Sequence, residues 1–158
     1  YRIIDGKTAG PFASGVSSAA IIAGASQDIV QSFWDYGMEL GRAFQLVDDI
    51  LDLMGDENIG KPRGTDVHEG KMTLPIIYAL TMLHGQDRTH LEDVLKNFSD
   101  DRLAELVQLL ELAGSFEYCN ILVSNHVERA LSCLSLLPDS EGKLLLEEIA
   151  LISESRTN

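Results

Sequence analysis

Asp48, Asp49 and Asp52 fall within five residues of an otherwise apolar run, Phe44–Met54. On a helix that turns about 100° per residue, with Gln45 at zero, Asp48 falls at about 300°, Asp49 at about 40° and Asp52 at about 340°. These four polar side chains share an arc of about 100°. Phe44, Leu46, Val47, Ile50, Leu51, Leu53 and Met54 fill the circle from about 80° to 260°. A helix of that pattern is buried on most sides, so its carboxylate stripe is expected to face a cavity. Carboxylates one turn apart oppose helix formation by ~0.2–0.5 kcal/mol per pair. They also sit toward the negative end of the helix dipole, and burial adds more unless the charge is neutralised. A hard divalent cation resolves this: Mg²⁺ takes one or two carboxylates and completes its shell with water and phosphate oxygens. The competing reading of the bare spacing is a solvated acidic face. The apolar circle weighs against it, as does Gly41, one turn before Gln45, which permits close approach of something bulky.

A basic segment comes next. Lys61, Arg63 and Lys71 are interleaved with Gly60, Gly64 and Gly70. Lysine is a compact charge for phosphate, and glycine lets backbone N–H groups come near it. Alone this is an ordinary solvated loop. Beside a carboxylate stripe it suggests a diphosphate held between Mg²⁺ and ammonium groups, with Asp66 pinning the loop or orienting a lysine or a metal-bound water.

The elements that must position these residues read as helices. The small tract Ser17–Ser26 suits close helix packing, and Gly10–Pro11 before it is expected to start a helix or kink one. Ser26 is a cap candidate for a long helix reaching about Met54. Gly55–Met72 reads as loop, and Thr73 as the cap of a helix that tolerates Pro75 in its first turn. Further helical patterns cover Leu91–Phe98, Ser99–Gly114, Ser115–Leu137 and Glu141–Ser153. No period-2 strand or internal repeat is visible. The expected fold is all-α, a helical bundle with short connections.

Bulk properties narrow the function. The 158 residues are 45% hydrophobic with a net charge of −13. That excludes a disordered chain and argues against nucleic acid or a polybasic membrane contact. No apolar run reaches the ~18 residues of a membrane span and no signal peptide is visible, so the expected location is cytoplasmic. Cys119 and Cys133 lack zinc spacing and read as buried reduced thiols. His68, His84, His90 and His126 are scattered and read as surface or helix-end residues. No Ser-His-Asp or Cys-His arrangement is evident.

Taken together, "FQLVDDILD", "GKPRGTD" and "EGKMTLP" resemble, in order and spacing, the second aspartate-rich region of the trans-isoprenyl diphosphate synthases. Upstream, "IIDGKTAGPF" resembles that family's Lys-Thr motif and "AAIIAGAS" its small-residue helix. The likeness is strong over Tyr1–Leu83; the remainder is similar only in being helical and acidic. It implies a helical bundle of the isoprenoid synthase type, with residues 1–158 as the C-terminal portion of a single domain. It implies a transferase that condenses isopentenyl diphosphate with an allylic diphosphate through Mg²⁺-assisted ionisation, and a homodimer in the full-length protein. By the same resemblance Asp48 binds Mg²⁺ shared with the allylic diphosphate, supported by Asp49 and Asp52 directly or through water. Lys7 and Lys61 contact that diphosphate and Lys71 completes the clamp. Thr8 and Gln45 steady the developing allylic carbocation, and Phe44 walls its pocket.

Three departures stand out. The loop "LMGDENIG" is one residue shorter than the commonest family form. Gly10–Pro11 replaces ordinary helix formers. The family's first aspartate-rich motif, which lies N-terminal to the Lys-Thr motif, has no counterpart here; Ser99–Asp101 reads as a helix cap. A fragment of a longer enzyme, inactive alone, is therefore the expectation. The alternatives are a non-catalytic subunit of a heteromeric synthase, a class I terpene cyclase, or an acidic helical interaction module. The GKPxGTD loop and Lys-Thr motif count against the cyclase.

Overall fold

The computed structural model describes residues 1–55 and 63–155. All regular structure among them is helical: α1 (Arg2–Ile4), a π-helical turn (Asp5–Ala9), α2 (Gly10–Ile22), α3 (Gln27–Met54), α4 (Thr65–His68), α5 (Leu74–Met82), α6 (Gly85–Lys96), α7 (Leu103–Leu112), α8 (Ser115–Cys133) and α9 (Glu141–Ser155). Short 3₁₀ turns precede α7 and follow α8. The chain divides into two compact units, one of Tyr1–Val47 with Leu122–Asn158, the other of Asp48–Ile121.

In the first unit, Pro11 explains the π turn. Proline has no N–H to continue an α ladder, and the hydrogen bonding slips by one residue ahead of it, so the Gly10 N–H reaches the Asp5 carbonyl. A Cβ on Gly10 would stand 2.8 Å from that carbonyl oxygen, hence glycine at this position. The expected kink is thus a widened turn, and it contains Lys7 and Thr8. The π turn and α2 then pack on α3 through small residues. A Cβ on Gly37 would lie 2.4 Å from the Ala13 Cα, and one on Gly41 2.5 Å from the Ala9 Cα. What Gly41 admits is therefore the Ala9 backbone. Buried Tyr36 donates from its hydroxyl to the Leu146 carbonyl at 2.7 Å, tying α3 to α9; burial pushes its phenol up to about 12. The Ser32 hydroxyl bonds the Cys133 carbonyl at the end of α8.

The second unit has its own apolar core: Ile50, Leu53, Val67, Ile76, Ala79, Leu83, Leu91, Val94, Leu106, Leu109, Leu110, Phe116 and Cys119. Tyr78 and Tyr118 stack at 4.1 Å beside it. Gly114, at φ +71°, ends α7 as expected. Ser99 precedes the 3₁₀ turn and its hydroxyl holds the Asp101 carboxyl below its usual range. Thr73 stands at the N-cap of α5, but its side chain makes no cap bond. The Gly55–Met72 loop needs one correction. It contains the single helical turn α4, because Gly64 takes the left-handed conformation (φ +72°) that leads into Thr65.

Candidate functional site

The Lys-Thr turn is fastened to α3 at three points. The Thr8 Oγ1 donates to Gln45 Oε1 at 2.7 Å. Ala9 is fully buried and faces Gly41. The Arg42 guanidinium grips Asp5 with two hydrogen bonds, Nε to Oδ1 at 2.7 Å and a terminal nitrogen to Oδ2 at 3.0 Å. Gly6 and Lys7, between these fasteners, are exposed. Phe44 is half-buried, its ring 5.5 Å from that of Phe12. Two of the residues singled out by sequence, Thr8 and Gln45, are thus brought into direct contact across 37 positions.

Behind this turn lies an ionic network that the sequence did not disclose. Glu39 accepts from Arg42 at 2.6 Å, from His126 Nδ1 at 2.6 Å and from Arg129 at 3.0 Å. His126 Nε2 is 3.1 Å from the Tyr1 hydroxyl. With Nδ1 carrying the proton to Glu39, Nε2 accepts from Tyr1. His126 is only 4% exposed, which corrects its reading as a surface or helix-end residue. Burial lowers its pKa against the opposing pull of Glu39. Burial alone would raise the Glu39 carboxyl, but the His126 hydrogen bond and the charges of His126, Arg129 and Arg42 hold it below its ordinary value. The Arg42 hydrogen bond holds Asp5 low as well. No sequence signal pairs Glu39 with His126, since they stand 87 positions apart.

The aspartate end is built around the last turns of α3. Asp49 and Asp52 are each 6% exposed, and Asp48 is half-buried. Asp52 organises the segment that leads into α4: its carboxylate accepts the Asp66 N–H at 3.1 Å and its carbonyl the Gly64 N–H at 2.7 Å. Arg63 donates twice to the Leu53 carbonyl, at 3.0 and 2.6 Å. It therefore caps a helix C-terminus, where a cation is favoured. Asp66 does pin the segment. Its side chain accepts from Lys71 Nζ at 2.7 Å and its carbonyl from the Lys71 N–H at 2.8 Å. Lys71 also meets Glu69 at 2.6 Å, and these two carboxylates raise its pKa. Lys61 lies outside the described residues. Nearby, burial pushes the Cys119 thiol up to about 12, with the Asp49 charge adding to it. Among the described residues, no group of three or more His, Cys, Asp or Glu side chains is placed to hold one metal ion.

Comparison with known proteins decides the family. The polyprenyl synthetase family model matches residues 1–111. The chain belongs to this family. Among its relatives, a short chain isoprenyl diphosphate synthase from Methanothermobacter thermautotrophicus is 37% identical over 145 residues, covering 91% of this chain and 45% of the relative. The crystal structure of a decaprenyl diphosphate synthase from Rhodobacter capsulatus superposes with a TM-score of 0.89 at 34% identity, over 99% of this chain and 49% of that one. A polyprenyl synthase from Caulobacter crescentus, solved with calcium and isoprenyl diphosphate, gives 0.90 at 30% identity, over 99% and 48%. The fold is the all-α isoprenoid synthase fold. The chain spans about half the length of the family relatives it matches.

Proposed function

We propose that residues 1–158 serve as the C-terminal portion of a trans-prenyltransferase that condenses isopentenyl diphosphate with an allylic diphosphate. The observation that carries the reading is the 2.7 Å bond from Thr8 to Gln45. It fastens the Lys-Thr motif to Gln45, one turn before Asp48 on the same helix.

The donor set suits Mg²⁺. Asp48, Asp49 and Asp52 are hard oxygen donors on one helix, and Mg²⁺ takes one or two such carboxylates, with water and phosphate oxygens supplying the rest. Asp48 is the more open carboxylate and would be the direct ligand, with Asp49 and Asp52 behind it. When bound, the ion neutralises the leaving diphosphate. The chain's own residues do the remainder. Lys7 and Lys61 hold the allylic diphosphate as its C–O bond breaks. Gln45 Oε1 and Thr8 Oγ1 present oxygen dipoles to the allylic cation, and Phe44 walls its hydrocarbon. The double bond of isopentenyl diphosphate then forms the new C–C bond, and a proton leaves. Lys71, whose ammonium has a third N–H donor beyond those spent on Asp66 and Glu69, completes the clamp.

The test is thermal melting with inorganic diphosphate and Mg²⁺. The wild-type melting temperature rises when both are present, and Asp48→Ala abolishes the rise. An equal rise in both proteins defeats the assignment.

A further inference from the structure

The Lys-Thr turn is held by a residue to which the sequence assigned no role. A π turn is rare and occurs mostly as a single-turn bulge within an α-helix; Pro11 sets this one off, and tertiary contacts fix where it points. Here those contacts come from a short stretch of α3. Gly41 seats Ala9, Gln45 takes the Thr8 hydroxyl, and Arg42 grips Asp5. The first two fix the C-terminal end of the turn. Arg42 alone of the three fixes its N-terminal end. It does so with a two-pronged guanidinium–carboxylate pair, a geometry that sets orientation as well as distance.

Arg42 is itself immobilised. Its remaining terminal nitrogen bonds Glu39 at 2.6 Å, and Glu39 is anchored from α8 by His126 and Arg129. The chain of contacts from α8 through α3 to Asp5 leaves that guanidinium little freedom to follow the turn if it shifts. Gly6, exposed and with nothing within 4 Å of where a Cβ would lie, gives the turn no packing of its own. The placement of Lys7 therefore depends on Asp5 before it and on Thr8 and Ala9 after it.

We propose that Arg42 is a positioning residue, locking the Asp5–Ala9 turn through Asp5 so that Lys7 is aimed at a diphosphate while Thr8 stays on Gln45. This rests on the diphosphate-binding reading above. Arg42 does not touch substrate. It acts through Asp5, and Glu39 acts through Arg42.

The test compares wild type with Arg42→Gln, Arg42→Lys, Asp5→Asn and the Asp5→Asn/Arg42→Gln pair, all in the 158-residue chain. Two readouts are taken: hydrogen exchange by peptide, and calorimetric affinity for inorganic diphosphate with Mg²⁺. In Arg42→Gln, exchange over residues 5–10 rises severalfold, while residues 123–130 of α8 exchange as in wild type. Affinity for diphosphate falls about tenfold, the low end of the loss seen when a residue that orients a ligating group, without touching the ligand, is removed. Asp5→Asn behaves the same way, and the double variant is no worse than either single. Arg42→Lys keeps the charge without the fork, recovers part of the affinity, and guards against a misfolded Gln variant. The proposal is overturned if exchange over residues 5–10 is unchanged, if it rises equally in α8, or if it rises without loss of affinity. Should wild type itself fail to bind diphosphate, the functional reading falls, and the exchange measurement alone decides whether Arg42 locks the turn.

Discussion

At the scale of single residues, His126 has the clearest measurable consequence. Burial lowers its folded-state pKa below the ordinary 6.5. The unfolded chain therefore binds the proton first, and protonation favours unfolding. Stability is full above the ordinary histidine value and falls as pH drops through it, until the lower folded value is reached. Glu39 and Asp5 have lowered pKa values, so their contribution is kept above their ordinary 4.5 and 3.8 and lost only in a more acidic window. Denaturant unfolding between pH 7 and 5 thus shows a loss in wild type that is shallower in His126→Gln. Parallel profiles would mean that folding leaves the His126 pKa where it stands in the unfolded chain. The sequence could not show this residue's place, because a histidine's environment is set by partners as distant in the chain as Glu39 and Tyr1. Thr8 and Gln45 were singled out by the resemblance, and the structure brings their side chains to 2.7 Å; the aspartates stood out because they share one arc of an otherwise apolar helix. Spacing alone presents Arg63 and Lys71 as cations open to a phosphate. The turn after α3 gives Arg63 the Leu53 carbonyl and gives Lys71 two carboxylates, contacts that spacing does not disclose.

At the scale of elements, the contact between the π turn and α3 is where one methyl group matters. Gly41→Ala places a Cβ 2.5 Å from the Ala9 Cα, a backbone atom that cannot rotate away. We expect a loss of about 1–3 kcal/mol, the range for overpacking, together with separation of Thr8 from Gln45. Gly15→Ala is the control. Its Cβ meets nothing within 4 Å on an exposed face of α2, and alanine gains up to about 1 kcal/mol of helix propensity. Chemical denaturation of the two variants gives opposite shifts in midpoint; shifts of one sign would contradict the packing described. The long helix to Met54 was legible in advance, since its apolar period persists over many turns. The π turn was not, because a Gly-Pro pair fits an ordinary helix start equally well. α4 escaped notice because four residues carry no periodicity, and it is held by Gly64 and by main-chain bonds to Asp52.

At the scale of the whole molecule, the chain spans about half the length of relatives such as the Methanothermobacter and Rhodobacter synthases, and the resemblance assigns the family's first aspartate-rich motif to the other half. Leaving-group stabilisation of this kind loses factors of ~10²–10³ when a single preorganised donor is removed. The 158-residue chain, given labelled isopentenyl diphosphate, an allylic diphosphate and Mg²⁺, is therefore expected to form no elongated product. Measurable elongation would mean a second carboxylate site within these residues or a partner chain carried along with them. The two compact units also differ in a way a chemist can exploit. Each holds one free thiol: Cys119 is buried in Asp48–Ile121, and Cys133 half-buried in the other unit. Both are held up by burial, Cys119 to about 12, and only the thiolate alkylates. Peptide-resolved labelling with iodoacetamide at rising urea then times the opening of each unit separately, with the native sequence as its own pair of probes.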